Sequence, residues 1–375
     1  MTRVVIAPDK FKGSVTAVEA AEAIALGVRD ALPDAVIETC PVADGGEGTL
    51  DVLYAAGARA VDLRVRGPLD SAIDARYAVL DGTAYIESAR ACGIEFVEPS
   101  PEVALRTHTW GVGELLAHAL DGGAKRLVLT VGGTASTDGG AGMLQALGAR
   151  ILDGAGAPIG LGGGQLRHVA EVDLSAVAAR LVGVSVGVAT DVTNPLLGAQ
   201  GAAAVFGPQK GARAEEVAEL EDALDAWAHA LKAAGAPDIS DIQGAGAGGG
   251  ISGAAVAGLG ATLKSGFDLV VELTGVDSAL DRADLVITGE GSLDEQSLHG
   301  KAPAGIAKRA RTRGIPLLAI AGRIKLEEAQ LAGLGVVGSR ALIEHAPSLA
   351  HAQQHAAELL RQQAAELVRS WAATR

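Results

Sequence analysis

A chain of 375 residues exceeds what one core comfortably buries, so two domains are expected. A formal net charge of −14 without any basic tract argues against a nucleic-acid partner, and no uncharged apolar run reaches the roughly 18 residues that a membrane span needs. Two cysteines, Cys40 and Cys92, make neither a disulfide framework nor a metal cluster, and MTRVVIAPDK enters a strand rather than a leader, which reads as cytoplasmic.

In chain order, RVVIAP is a strand and DKFKGS a loop. Thr16-Ala17-Val18-Glu19 is a capping box that starts an amphipathic helix reaching to about Leu32. AVIETCPVA follows as a strand, then the loop DGGEG and the helix TLDVLYAAG. The apolar alternation on either side of Asp81-Gly82 predicts a hairpin, an antiparallel element that marks a second domain inserted into the first. RLVLTV, GVSVGVAT, DLVITG and IPLLAIAG are further strands, and they alternate with helical patterns such as GAGMLQALGA and APAGIAKRARTRG. The C-terminal HAAELLRQQAAELVRSWAAT is a long helix expected to pack on a sheet. The fold class is therefore α/β with a mostly parallel sheet. Residues 1–68 and 276–375 are assigned to the first domain and 69–275 to the second.

Glycine makes up 51 residues and gathers where apolar runs end, so it marks loops that expose bare backbone rather than disorder. Five loops share that design: DKFKGS, DGGEG, GGTASTDGG, DVTN and GEGSLDEQSLHGK, the last opening where the strand DLVIT is expected to stop at Gly289. Ligands of open α/β sheets gather at the carboxyl ends of strands, and glycine-rich backbone there suits phosphate. Carboxylates on the same rim repel phosphate unless Mg²⁺ lies between them, so the combination reads as metal-assisted phosphoryl transfer. Any one such loop is more often only a turn; five of them, each at a strand end, make the site reading.

Familiar motifs are mostly absent. GLGATLKS has a leucine where a Walker-A loop needs its second glycine, and HGKAP lacks the hydroxyl. GAGAGG matches a dinucleotide fingerprint in spacing, but PDISDIQ precedes it instead of an apolar strand. GVSVG matches a nucleophile elbow, yet Val186, Val188 and Ala189 continue the strand, so Ser185 is expected to be buried.

APDKFKGS, PVADGGEGTLD, GGTASTDGGAGML, DVTNPLLG, AVFGPQKGA and DLVITGEGSLDEQSLHGKAP, in this order, resemble the signature blocks of the type I glycerate kinase family, the bacterial glycerate 2-kinases. The resemblance implies ATP-dependent phosphorylation of D-glycerate at the 2-hydroxyl. It also implies a flavodoxin-like domain with a second α/β domain and an active site in the cleft between them. One departure stands out: the block often written Ser-Ala-Thr-Asn reads Thr134-Ala135-Ser136-Thr137 here, so a hydroxyl replaces an amide at Thr137.

Residues and resemblance together give candidate roles. Asp191, directly after a strand, is the expected base for the substrate hydroxyl, with Asn194 bonding substrate or metal-bound water. Lys10 and Lys12 neutralise charge on the transferred group, and Gly132, Gly133 and Thr134 offer donors. Ser14, Asp138, Gly289 and Gly291 complete the substrate- and phosphate-binding set, and Lys210 and Lys301 grip the glycerate carboxylate or the nucleotide phosphates. Asp44 and Glu47, or Glu290 and Asp294, hold Mg²⁺. The rival readings are an NAD(P)-dependent oxidoreductase acting on a hydroxy acid, drawn from GAGAGG, and a non-catalytic phosphometabolite sensor.

Overall fold

The computed structural model describes residues 1–46, 48–298 and 302–374. In chain order its strands are β1 (Arg3–Pro8), β2 (Val36–Thr39), β3 (Arg59–Arg66), β4 (Ala72–Leu80), β5 (Thr83–Glu87), β6 (Arg126–Thr130), β7 (Arg150–Asp153), β8 (Val169–Asp173), β9 (Ser185–Ala189), β10 (Thr262–Lys264), β11 (Leu285–Leu293), β12 (Leu317–Ile324) and β13 (Val336–Ala341). They fall into two compact units. One comprises Met1–Asp44, Asp51–Ala56 and Phe267–Arg375; the other comprises Gly45–Leu50 and Gly57–Gly266.

The first unit is a five-stranded sheet in the order β13-β12-β11-β1-β2, parallel throughout. Counted within the unit, this is the flavodoxin-like 2-1-3-4-5 arrangement, whose strand order reverses between β1 and β11. Side chains alternate along each strand, so Val4 and Ile6 enter one core with Ile24, Val28, Leu360 and Val368. Val5 and Ala7 enter another with Val270, Ile306 and Ala310 on the opposite face. Both faces are covered, which is why the strand reads as an unbroken apolar run. The helix Ala17–Ala31 begins with the full capping box: Thr16 Oγ1 accepts from Glu19 N, and the Glu19 carboxylate accepts from Thr16 N at 2.8 Å.

β11 differs from expectation. It does not stop at Gly289 but runs on through Glu290 to Leu293, paired with β12 as far as Ile324. Glycine fits there for space rather than flexibility: a Cβ on Gly289 would collide with the Ile320 carbonyl oxygen of the neighbouring strand.

The second unit holds a six-stranded sheet, β10-β9-β6-β5-β4-β3, and a small antiparallel pair, β7-β8. β5, β6, β9 and β10 are parallel, while β3 and β4 add an antiparallel edge. The β4–β5 hairpin closes Leu80 onto Thr83, with Asp81 at φ 48° and Gly82 at φ 72°, the double left-handed geometry that tight hairpins require. Pairing with β4 takes residues 59–66 into this unit, and the chain leaves it at Gly266. Its core gathers Leu115, Leu116, Leu127, Leu129, Met143 and the fully buried Trp227. Ser185 opens β9 and is exposed, because the strand begins at this residue instead of ending there; no helix follows it to make an elbow.

Candidate active site

In the first unit the reversal of strand order sets the carboxyl end of β1 beside β11, with Pro8 opposite Gly289, at the switch point where open α/β sheets bind ligands. Asp9 follows β1, and its N–H donates to the Gly289 carbonyl at 2.8 Å. Its carboxyl is almost fully buried and accepts from Lys10 N at 2.6 Å. Burial, and then the neighbouring Asp44 and Glu290 carboxylates, push its pKa up to about 7 against the opposing pull of Lys10. Glu290, also buried, accepts from the Ser297 hydroxyl, whose oxygen in turn accepts from Asp294 N at 3.2 Å. Ser292 Oγ lies 3.3 Å from Asp294 Oδ2. The rim thus carries four acids with Lys10 half-buried beside them and Lys12 exposed.

Among the described residues no three acidic, histidine or cysteine side chains alone form an ion cage. The donor set is nevertheless all oxygen, and a buried acid whose pKa neighbouring carboxylates raise is the companion of a hard cation. Mg²⁺ commonly takes only one or two carboxylates and completes its shell with phosphates and water. The residues present fit that mode.

In the second unit the parallel strands end at Glu87, Thr130, Ala189 and Lys264. Asp191, two residues past β9, is exposed, and its Oδ1 accepts from Gly266 N at 3.2 Å. After β6, Gly132 and Gly133 reach the surface while Thr134 is buried. The loop is stitched to the segment after β5: Ile94 N donates to the Gly133 carbonyl at 2.9 Å and Ala135 N to the Cys92 carbonyl at 2.8 Å. Glu87, fully buried, receives Gly48 N at 3.3 Å and Leu50 N at 3.2 Å, and so fixes the segment delivered by DGGEG.

Several expected ligand groups are turned inward. Asp138 is fully buried, and its carboxylate accepts from Thr109 N at 2.9 Å, Thr109 Oγ1 at 2.8 Å, Gly140 N at 3.1 Å and Gly142 N at 3.1 Å. It is an anchor for its own loop. Lys210 is 2% exposed, and its ammonium donates to the Ser136 carbonyl. Two others are not buried but are already engaged: half-buried Asn194 spends its amide on the Gln200 carbonyl at 2.8 Å, and exposed Ser14 donates to the Gln353 carbonyl at 2.7 Å. Gly289 pairs with both Pro8 and Ile320 inside the sheet, so it is not the bare loop backbone that its spacing suggests; Gly291 lies in the same strand. Glu47 and Lys301 lie outside the described residues.

Reading the sequence missed Asp9, Glu87 and Ser297. Asp9 and Glu87 each follow or close an apolar strand, and that position is the signal available for them; Ser297 carries none.

The family model described as Glycerate kinase family matches residues 4–372. A Bacillus subtilis (strain 168) protein named Glycerate kinase is 43% identical over 371 residues, covering 98% of this chain and 97% of its own. An Escherichia coli (strain K12) protein named Glycerate 2-kinase is 44% identical over 325 residues, covering 86% of this chain and 85% of its own. A crystal structure from Salmonella typhimurium LT2, bearing the name glycerate kinase 2, superposes with a TM-score of 0.85 at 40% identity, over 100% of this chain and 99% of that one.

Proposed function

The chain belongs to the glycerate kinase family, and from that membership we propose that it transfers the γ-phosphoryl group of ATP to the 2-hydroxyl of D-glycerate, giving 2-phospho-D-glycerate and ADP. The observation that carries this reading is the 44% identity over 325 residues to a relative named Glycerate 2-kinase. The dinucleotide alternative loses its footing, because residues 236–243 before GAGAGG hold no strand, and Gly248 and Gly249 sit inside a kinked helical turn.

Asp191 is assigned as the base: an exposed carboxylate at a strand's carboxyl end, oriented by the Gly266 N–H, takes the proton as the 2-hydroxyl attacks. Lys10 and Lys12 supply positive charge to the transferred group, and the backbone of Gly132 and Gly133 supplies donors. Glu290 and Asp294, or Asp44, are the residues that would hold Mg²⁺. Bound there, the ion would neutralise charge on the nucleotide's terminal phosphates. Work in the cytoplasm completes the reading: both cysteines are free and buried, and no helix among the described residues is long and apolar enough to cross a membrane.

The test is ADP release with D-glycerate, with L-glycerate and with neither. ADP is expected with D-glycerate alone, and enolase coupling should register the 2-phosphate. NAD(P)H turnover without ATP, or no ADP at all, overturns the reading. In the same assay Asp191→Asn should lower kcat by about 10²–10⁴-fold with an unchanged melting temperature. Near-normal kcat removes Asp191 as the base.

A further inference from the structure

A buried cation holds the Gly132–Gly140 loop in place. Lys210 ends the short turn Pro208–Lys210, and its ammonium reaches 74 residues back in the chain to donate to the Ser136 carbonyl. It also lies 3.4 Å from Thr137 Oγ1. A Cβ on Gly249 would overlap the Ser136 carbonyl oxygen and come within 2.9 Å of Lys210 Nζ, so only glycine leaves room for the pair. The Gly249 carbonyl then accepts from Gly139 N at 3.0 Å, tying down the far end of the loop.

An ammonium is a costly strut. Desolvation of a buried ion costs several kcal/mol and is recovered only through close, well-directed partners. Burial pulls the Lys210 pKa down to about 8, although Cys92 and Asp138 pull the other way. Asp138 gives no direct bond back, since its carboxylate is filled by Thr109, Gly140 and Gly142. The charge is thus spent on a backbone carbonyl of the loop that bears the candidate donors. A methionine of similar length would fill the space without that cost.

We propose that Lys210 is a positioning residue for phosphoryl transfer: by holding the Ser136 carbonyl it fixes the loop whose Gly132 and Gly133 backbone donors meet the reacting group, without touching substrate itself. The inference rests on the phosphotransferase reading above and deepens it. Oxyanion-type donors act in the transition state, so loosening them lowers kcat more than it alters binding.

Three measurements on Lys210→Met test this: amide hydrogen exchange of the ligand-free protein, kcat, and KM for D-glycerate and ATP. Exchange in peptides spanning residues 132–140 should rise, with kcat down about 10–100-fold and both KM values within about threefold of the parent. Thr137→Val, which keeps the shape and deletes only the acceptor hydroxyl, should shift exchange and kcat in the same direction by about two- to fivefold. Should Lys210→Met fail to fold, Thr137→Val reads the same quantities, and unchanged values there overturn the proposal. Faster exchange with unchanged kcat reduces Lys210 to a stabilising residue; lower kcat with unchanged ligand-free exchange makes it a ligand contact. Either result overturns the proposal. A parent protein that releases no ADP sinks the phosphotransferase reading instead, while exchange still reports whether Lys210 holds the loop.

Discussion

Asp9 shows how the first unit's rim trades stability for charge. Its carboxyl is raised to about 7, chiefly by burial and next by Asp44, whereas the unfolded chain ionises it near its ordinary value of 3.8. Between those two values the folded protein holds a proton that the unfolded chain has lost. Stability from this group is therefore complete below the unfolded value and drains away as the pH climbs to about 7. Asp9→Asn, which keeps an acceptor for Lys10 N–H, removes that loss. In ligand-free protein with chelator, the variant should melt with the parent near pH 4, then above it by a margin that widens up to pH 7 and levels off at about 2–5 °C. A margin independent of pH, or of the opposite sign, would show that Asp9 is ionised in the folded state throughout. The sequence displayed Asp9 only as one acid in a loop. What sets it apart is burial against Gly289 and Glu290, some 280 residues away, which no local pattern records. Lys210 and Asp138 misled for the same reason: a charge beside glycines reads as solvated and available until tertiary contacts close over it.

At the scale of elements, the helices Ala17–Ala31 and Ala356–Ala372 pack together closely enough to exclude a methyl group. A Cβ on Gly27 would run into the Arg361 carbonyl and stand 2.8 Å from the Ala364 Cβ. Nearby, Arg361 clamps Asp30 through Nε at 2.7 Å and Nη2 at 3.1 Å. Ordinarily alanine is favoured over glycine in a helix by about 1 kcal/mol. Here overpacking should reverse that sign, so Gly27→Ala is expected to lower stability by about 1–3 kcal/mol in chemical denaturation. A stabilised variant would mean that the two helices separate at little cost. The C-terminal helix was legible as a helix that packs on a sheet, and it does contribute to the core that includes β1, β11 and β12. Its pairing with the first helix was not, because periodicity gives the face and not the partner. Local signals fared best: the Thr16 capping box and the Asp81-Gly82 hairpin are both short-range geometry. β11 fared worst, since Gly289 and Gly291 read as a break when neighbouring backbone is what demands their size.

For the whole molecule, alternating strands and helices conveyed an α/β fold with parallel sheets, and the hairpin gave notice of a second unit within the first. The order of strands in each sheet lay beyond the sequence, because it depends on pairings such as β1 with β11 that span most of the chain. The chain passes between the two units at 44/45, 50/51, 56/57 and 266/267. Each unit nonetheless closes its own apolar core: Trp227, Leu129 and Met143 in one, and Ile6, Ile24 and Leu360 in the other. Two-state melting is the rule for small single domains, so a chain with an apolar core in each of two units is expected to depart from it. Scanning calorimetry is expected to give a calorimetric enthalpy larger than the van't Hoff enthalpy, either as two overlapping transitions or as one broadened peak. Equal enthalpies, with far-ultraviolet and tryptophan signals coincident, would mean that the units unfold as a single body. The tryptophan signal is informative because Trp110 and Trp227 belong to the second unit and Trp371 to the first, and Trp227 is fully buried.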